Sequence, residues 1–186
     1  MPFVMRGDSH IVLPVDVEGD DQRYVRLLLD VRLADGLRDH AIAGDLHGRF
    51  QYRFTRQGKH VLEFEGEAGE GIFASLSTLH TWHHIQFRFP LGDAVPGPLI
   101  IGAHSTNGGS SFLAPMRGAI RNISFFVGSK RMHWWPIHEG QGLAVHDMVG
   151  EAHGTITKGL GAWRIETSPT APPVENMSAG MMRSMV

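Results

Sequence analysis

The stretch that decides the fold is YVRLLLDVRL, from Tyr24 to Leu33. Its odd positions carry apolar side chains, and three of its even positions carry charged ones. The apolar positions are Val25, Leu27, Leu29, Val31 and Leu33, and the charged positions are Arg26, Asp30 and Arg32. An alternation of period two is typical of a strand with one buried and one solvated face. The stretch therefore predicts a half-buried β-strand.

The same alternation recurs elsewhere, over residues 50–55 and 83–89. Segments rich in Gly, Pro, Asn and Asp separate the alternating runs, and the chain contains 23 glycines. Many short strands joined by tight turns predict an all-β fold, an antiparallel β-sandwich of the jelly-roll kind. We expect at most one helical turn, around residues 35–39, and no long amphipathic helix.

Composition bounds the class of protein. The 186 residues are 42% hydrophobic, which is enough for one well-packed domain. The formal net charge of -2 argues against a nucleic-acid-binding protein, which would normally be basic. The chain has no cysteine, so disulfides and thiolate chemistry are excluded. The first residues lack the apolar run of a signal peptide and no apolar run is long enough to span a bilayer, so we expect neither export nor membrane partners.

The composition changes near the C-terminus. We assign residues 1–165 to the β-sandwich, with a closing β-hairpin over 133–165, and residues 166–186 to an extended arm rich in Pro and Met. The arm is either a disordered tail or a segment that docks on a neighbouring subunit, since methionines suit adaptable apolar contacts. The candidate assembly residues of the arm are Pro172, Pro173, Met177, Met181 and Met182.

The closing segment contains the most unusual motif, a Glu-Gly-x-Gly followed by Asp147 and further glycines within residues 134–156. A short carboxylate at a tight turn accepts backbone N–H groups, and glycine permits positive φ. We therefore predict a structural turn. Its residues are Glu139, Gly140, Gly142, Asp147, Gly150 and Gly154.

Four segments in chain order resemble motifs of one family. They are Gly7–Pro14 (GDSHIVLP), Leu79–Phe87 (LHTWHHIQF), Pro98–Ala103 (PLIIGA) and Met116–Ile123 (MRGAIRNI). Each is similar to a strand motif of the concanavalin A-like lectin/glucanase superfamily, in its laminin-G-like branch. The resemblance covers residues 1 to about 128, and it implies a jelly roll.

The Glu-Gly-x-Gly motif also belongs to this family, where it commonly precedes the first strand. Here it follows the last one, either as a permuted terminal hairpin or as an added β-element. A late copy resembles what tailed-bacteriophage virion proteins carry. The resemblance implies a non-enzymatic capsid decoration or tail fibre protein, assembled in the host cytoplasm. Its partners would be virion proteins and copies of itself, not nucleic acid.

Two further functions fit the family. The alternative is a lectin-like module that binds a host surface polysaccharide, with contacts from His104, Asn107 and one of the successive residues Trp134 and Trp135. Of these two, one should face the core and the other the outside. The less favoured reading is a glycoside hydrolase, because Glu63, Glu65 and Glu67 would share one face of a strand, similar to the paired carboxylates of retaining enzymes.

Metal binding is left open. The histidines are densest around His80, His83, His84 and His104, but adjacent strand residues such as His83 and His84 point to opposite faces, which disfavours joint ligation. We expect no cofactor, with Ca²⁺ possible by family resemblance. The oxygen ligands considered for it are Asp30, Asn107 and Asp147.

Overall fold

A computed structural model of the chain describes residues 2–7, 9–15, 24–64, 67–68, 71–72, 79–90, 97–113, 115–157 and 162–163. Its strands are β1 (Phe3–Arg6), β2 (Ile11–Leu13), β3 (Tyr24–Leu33), β4 (His40–Asp45), β5 (Phe50–Phe54), β6 (His60–Phe64), β7 (Glu67–Ala68), β8 (Gly71–Ile72), β9 (His83–Pro90), β10 (Leu99–Ile101), β11 (His104–Thr106), β12 (Ser111–Leu113), β13 (Arg117–Val127), β14 (Lys130–Trp135), β15 (Ala144–Val145), β16 (Gly154–Ile156) and β17 (Ala162–Trp163).

The strands form two large sheets and one small hairpin. Sheet A has the order β17-β1-β13-β3-β9-β8, with β14 also paired to β13. Sheet B has the order β15-β16-β2-β10-β4-β5-β6-β7, and β11 and β12 form the two-stranded hairpin. The pairings within these sheets are antiparallel. The predicted all-β antiparallel sandwich is confirmed.

The core lies between sheets A and B, as the alternation predicts. All five apolar positions of β3, from Val25 to Leu33, are at most 1% exposed, and they meet the inward residues Phe50, Tyr52 and Phe54 of β5 in one cluster. Because β3 lies between β13 and β9, its even positions form the middle of the opposite, outward face of sheet A.

Residues 35–39, where the sequence allowed a helical turn, do not form one. Residues 36–38 form a bend, in which the N–H of Leu37 donates to Asp35 Oδ1 at 3.3 Å, and β4 begins at His40. Within the described ranges the single helical turn is a 3₁₀ turn at Asn107–Gly109, between β11 and β12. No helix of the described residues is long and apolar enough to cross a membrane.

The closing segment divides between the two sheets, so the predicted hairpin over 133–165 is narrower in the structure. β14 pairs with β13 in sheet A, whereas β15 and β16 form the hairpin and add to β2 in sheet B. β17 returns to sheet A beside β1. The last strands thus neighbour the first two, which is the position that a permuted terminal hairpin requires. The arm, with Pro172, Pro173, Met177, Met181 and Met182, lies outside the described residues.

Candidate functional site

The buried carboxylate of Asp147 is the centre of the closing segment. Its Oδ1 accepts the backbone N–H groups of Trp134 and Val149, both at 3.0 Å. Its Oδ2 accepts the N–H of Ala152 at 3.2 Å and lies 2.6 Å from Nδ1 of His133. Burial alone would raise the pKa of Asp147, but the hydrogen bonds from Trp134, Val149 and His133 outweigh it and lower the pKa to about 2.

The neighbouring turns are held by the other residues of the motif. Glu139 Oε1 accepts the N–H of His146 at 2.7 Å, and Gly140 and Gly142 have φ of 77° and 76°. A Cβ at Gly150 would lie 2.7 Å from His133 Nδ1, and one at Gly154 would lie 2.5 Å from Leu13 Cδ2. Gly140 and Gly142 therefore provide the positive φ of the turns, and Gly150 and Gly154 allow neighbouring side chains to approach the backbone closely. The carboxylates of Glu139 and Asp147 accept hydrogen bonds from backbone N–H groups.

The residues predicted to contact a glycan do not lie together. Trp135 is fully buried, and its Nε1 donates to the carbonyl of Ala152 at 2.7 Å, so Trp135 is the member of the pair that faces the core and Trp134 is the remaining candidate for a glycan contact. Trp134 pairs with Ser124 and is half-buried on the outward face of sheet A. The alternation of β14 directs successive side chains to opposite faces, which is why one tryptophan fills the core. The side chain of Asn107 lies outside the described residues.

His104 belongs to the other side of the sandwich. It is half-buried in β11, and burial lowers its pKa, while Asp45 and Glu63 favour the charged ring and Arg53 opposes it. Arg53 and Glu63 are on the outward side of sheet B, because Arg53 and Gln51, the partner of Glu63, alternate with the core residues of β5. His104 and Trp134 therefore cannot contact one small glycan epitope.

The strand of three carboxylates is also wrong. β6 ends at Phe64, and β7 pairs back on it with Glu63 opposite Ala68 and Phe64 opposite Glu67. Glu63 and Glu67 thus belong to different strands, and Glu65 lies outside the described residues. Glu63 accepts a hydrogen bond from the Gln51 amide and lies 3.5 Å from Arg53 Nη2, as expected of a cross-strand pair on a sheet surface.

A calcium site does not fit the candidate ligands. Asp30 is in sheet A and Asp147 is in the closing segment, and the carboxylates of both already accept several N–H groups. No group of three His, Asp or Glu side chains in the described part of the chain is placed to hold a metal ion. The side chain of His84 is 61% exposed and belongs to the outward face, while His83 aligns with the inward Val31.

A dense arrangement of polar side chains on the outward face of sheet A is centred on Asp30, at an even position of β3. Asp30 Oδ1 accepts the Nδ1–H of His84, from β9, at 2.8 Å. Asp30 Oδ2 accepts Nε–H of Arg121 at 3.2 Å and Nδ2–H of Asn122 at 2.9 Å, both from β13. One carboxylate thus joins donors from the strands on both sides of it. We call Asp30, His84, Arg121 and Asn122 the Asp30 cluster.

Trp82 extends the Asp30 cluster along the sheet. The guanidinium carbon of Arg121 lies 4.1 Å from the centroid of the Trp82 ring, and that of Arg32 lies 4.9 Å from it. Both distances are within the range of cation–π contacts. Arg121 therefore has its plane fixed twice, by the indole and by Asp30. The tryptophan of the family-like Trp-His-His stretch consequently lies on the outward face of sheet A.

Asn122 holds an unusual backbone conformation at a bulge. Its φ is 51°, and the register between β13 and β3 shifts between Arg121 and Ser124. A non-glycine residue with positive φ is uncommon, and bulges that redirect a side chain are frequent near binding sites. Here the bulge places an exposed amide on Asp30. Asparagine adopts this left-handed conformation more readily than most residues, so the bulge adds an exposed amide to the Asp30 cluster at little cost.

The Asp30 cluster was not predicted from the sequence, because the even positions of β3 were interpreted only as a solvent-exposed face. Arg26, Asp30 and Arg32 were visible there, but the strands that would bring His84, Arg121 and Trp82 beside them could not be identified from one sequence. The sequence did contain one usable signal. Apart from Arg121, these residues occupy even positions of β3 or even positions of the Trp-His-His stretch, and alternation places such positions on the outward face of a sheet.

The comparisons with known proteins support the fold. No protein-family model matches the chain. No curated protein matches it either. Among solved structures, the chain is similar to the crystal structure of a "putative carbohydrate binding protein" from Bacteroides ovatus, with a TM-score of 0.53 and 10% sequence identity. The match covers 85% of this chain and 59% of that protein. At this identity the likeness shows the β-sandwich fold alone, so a function has to be argued from the surface residues of this chain.

We expect Asp147→Asn to lower the free energy of unfolding by roughly 2 to 3 kcal/mol at pH 7, because an amide NH₂ would then face N–H donors. A pKa lowered from 3.8 to about 2 stabilises the folded state above pH 4, and this contribution is lost as the pH falls through about 2. Urea unfolding at several pH values should therefore show the difference from wild type shrinking toward pH 2. The exposed Glu151→Gln is the control. A pH-independent difference would contradict this account.

Proposed function

We propose that the protein is a carbohydrate-binding module whose ligand contacts the outward face of sheet A at the Asp30 cluster. The observation that carries the proposal is the convergence of three strands on Asp30, which orients one imidazole, one guanidinium and one amide at the surface. Planar side chains held in this way can donate to and accept from neighbouring hydroxyls of a sugar ring.

The geometry divides the work among these residues. Asp30 is only partly exposed, with 16% of its side chain accessible, whereas the side chain of His84 is 61% exposed. Asp30 therefore positions the donors, and the more exposed His84, Arg121 and Asn122 are the groups that reach a ligand. The indole of Trp82 supplies an apolar edge beside them, as tryptophan does where one side of a ligand is apolar and the other polar.

The sandwich fold is consistent with this proposal, since a protein of the same fold carries a name that describes carbohydrate binding. Because fold alone does not decide function, the proposed carbohydrate binding depends on the Asp30 cluster. The non-enzymatic character stays a prediction. The virion role also stays a prediction, because it depends on family resemblance and on an arm that lies outside the described residues.

The proposal is tested with Asp30→Ala. We expect the wild-type protein to bind at least one sugar on a broad glycan array, and Asp30→Ala to weaken that binding by about tenfold or more in calorimetric titration, equal to about 1.4 kcal/mol. The loss follows because His84 and Asn122 would lose the carboxylate that orients them, and Arg121 would lose its bond to Asp30 while keeping its contact with Trp82. Circular dichroism and the unfolding midpoint establish that the variant is folded.

His104→Ala is the matched control, since it removes an imidazole from the opposite side of the sandwich, at the position first predicted to bind glycan. We expect the affinity of His104→Ala to stay within about twofold of wild type. A clean negative on the array, or a loss caused by His104→Ala and not by Asp30→Ala, would refute the proposal.

A second prediction concerns the left-handed backbone of Asn122. Asn122→Gly removes the amide but relieves the positive φ, so the two effects on stability should nearly cancel, leaving the free energy of unfolding within about 1 kcal/mol of wild type. Affinity for the array ligand should still fall by about tenfold. An Asn122→Gly variant that binds like wild type would show that the bulge serves the fold alone.

A further inference from the structure

The outward face of sheet A concentrates positive charge in a chain that is close to neutral. Seven of the 17 Lys and Arg residues of the chain lie on the outward positions of its strands. They are Arg6, Arg26, Arg32, Arg88, Arg117, Arg121 and Arg131. Among the strand residues that the structure places on this face, Asp30 is the single carboxylate. Since the formal charge of the whole chain is -2, the charge is segregated and not a property of overall composition.

Aromatic rings organise four of these arginines into two stacks. The first is the Trp82 stack, with Arg32 and Arg121. The second is the Phe126 stack, in which Arg26 and Arg131 lie 4.7 Å and 5.2 Å from the ring centroid of Phe126. Arg131 also lies 5.8 Å from the ring of Trp134. A stacked guanidinium keeps its N–H groups at its edge, so it is preorganised for bidentate recognition of an anionic group.

Within the part of the chain that the structure describes, no carboxylate forms an ion pair with the arginines of the Phe126 stack. The Nε of Arg26 is buried without a hydrogen-bond partner among the described residues. At the edge of the same face, Arg6 lies directly opposite Arg117 in the β1–β13 register. Like charges opposite each other destabilise a sheet, and an anionic ligand on this face would reduce the repulsion between Arg6 and Arg117.

The separation of the stacks fits an extended polymer. Arg26 and Arg32 are six positions apart on β3, which corresponds to about 20 Å along the strand. The Asp30 cluster lies between them, so a chain of several sugars that crosses the cluster would reach both stacks. A polysaccharide with acidic groups repeated along its chain would place one anionic group on the Trp82 stack and another on the Phe126 stack.

We propose that the ligand of this face is an acidic polysaccharide, whose carboxylate or sulfate groups bind the Trp82 stack and the Phe126 stack. This inference rests on the proposed carbohydrate-binding function and adds the charge class of the ligand. A nucleic acid is the less favoured polyanion for two reasons. The chain as a whole is not basic, and guanidinium groups already lie over the rings on which bases would stack.

The test compares chemically matched ligands on the full chain by affinity electrophoresis and calorimetry. The probes are polygalacturonate and its carboxyl-reduced form, dextran sulfate and dextran, and a single-stranded DNA oligomer. We expect at least one acidic probe to bind about tenfold or more tightly than its neutral partner, with affinity falling as salt is raised.

The double variant Arg26→Gln/Arg131→Gln, which leaves the Asp30 cluster intact, should lose about tenfold in affinity for the acidic probe. The control Arg56→Gln/Lys59→Gln removes two exposed charges from the turn between β5 and β6 and should stay within about twofold of wild type.

Four results would overturn the inference. Equal binding of an acidic probe and its neutral partner would be compatible with carbohydrate binding but would refute the preference for an acidic ligand. DNA binding as tight as that of the acidic probes would identify a general polyanion surface. Acidic binding that the double variant leaves unchanged would place the ligand elsewhere. The last result is that no probe binds. If the array then shows a glycan whose binding depends on Asp30, only the acidic character of the ligand is refuted. If the array shows no bound glycan, the proposed carbohydrate-binding function is refuted as well.

Discussion

The alternation of side chains along β3 is the constraint on which both the core and the candidate site depend. β3 is hydrogen-bonded on both sides, to β13 and to β9, so its register fixes which residues of three strands share a face. The odd positions can be apolar without interruption because they all enter the core. The same geometry aligns Asp30 with Arg121 and His84 on the other face, since side chains directly opposite in neighbouring strands interact.

Two carboxylates illustrate how surroundings separate a structural role from a binding role. Asp147 is enclosed, and its partners are mainly backbone N–H groups of its own segment, which fix the path of the chain between β14 and β16. Asp30 has side-chain partners from two neighbouring strands, and one of them is largely exposed. A carboxylate that organises exposed side chains leaves those side chains able to meet a ligand, whereas one that organises backbone does not.

Much of the architecture could be predicted from the sequence, because strand periodicity and turn residues are local signals. The buried faces of β3 and β5 followed from alternation alone. The three-carboxylate strand failed because alternation was extended past Phe64, where the chain turns back as β7. Alternation also required that Trp134 and Trp135 face opposite sides but could not decide which one fills the core, because that depends on the register with β13.

The candidate site was less accessible from the sequence for a physical reason. Its members come from β3, β9 and β13, which are up to 92 residues apart along the chain, and cross-strand register is not encoded in any single strand. The bulge at Asn122 is also invisible locally, since it depends on the shift in register between β13 and β3 and on the N–H of Asn122 donating to the carbonyl of Pro136. Composition alone likewise concealed the arginine-rich face, because acidic residues elsewhere balance the net charge.

Ligand binding on the outward face of sheet A is tested by a nuclear magnetic resonance titration of the isotope-labelled protein with the polysaccharide fragment that binds best. We expect chemical-shift changes concentrated at the Asp30 cluster, including the imidazole of His84 and the Nε–H of Arg121. Changes concentrated in β11 and the 3₁₀ turn at Asn107–Gly109, with the Asp30 cluster unperturbed, would contradict this expectation.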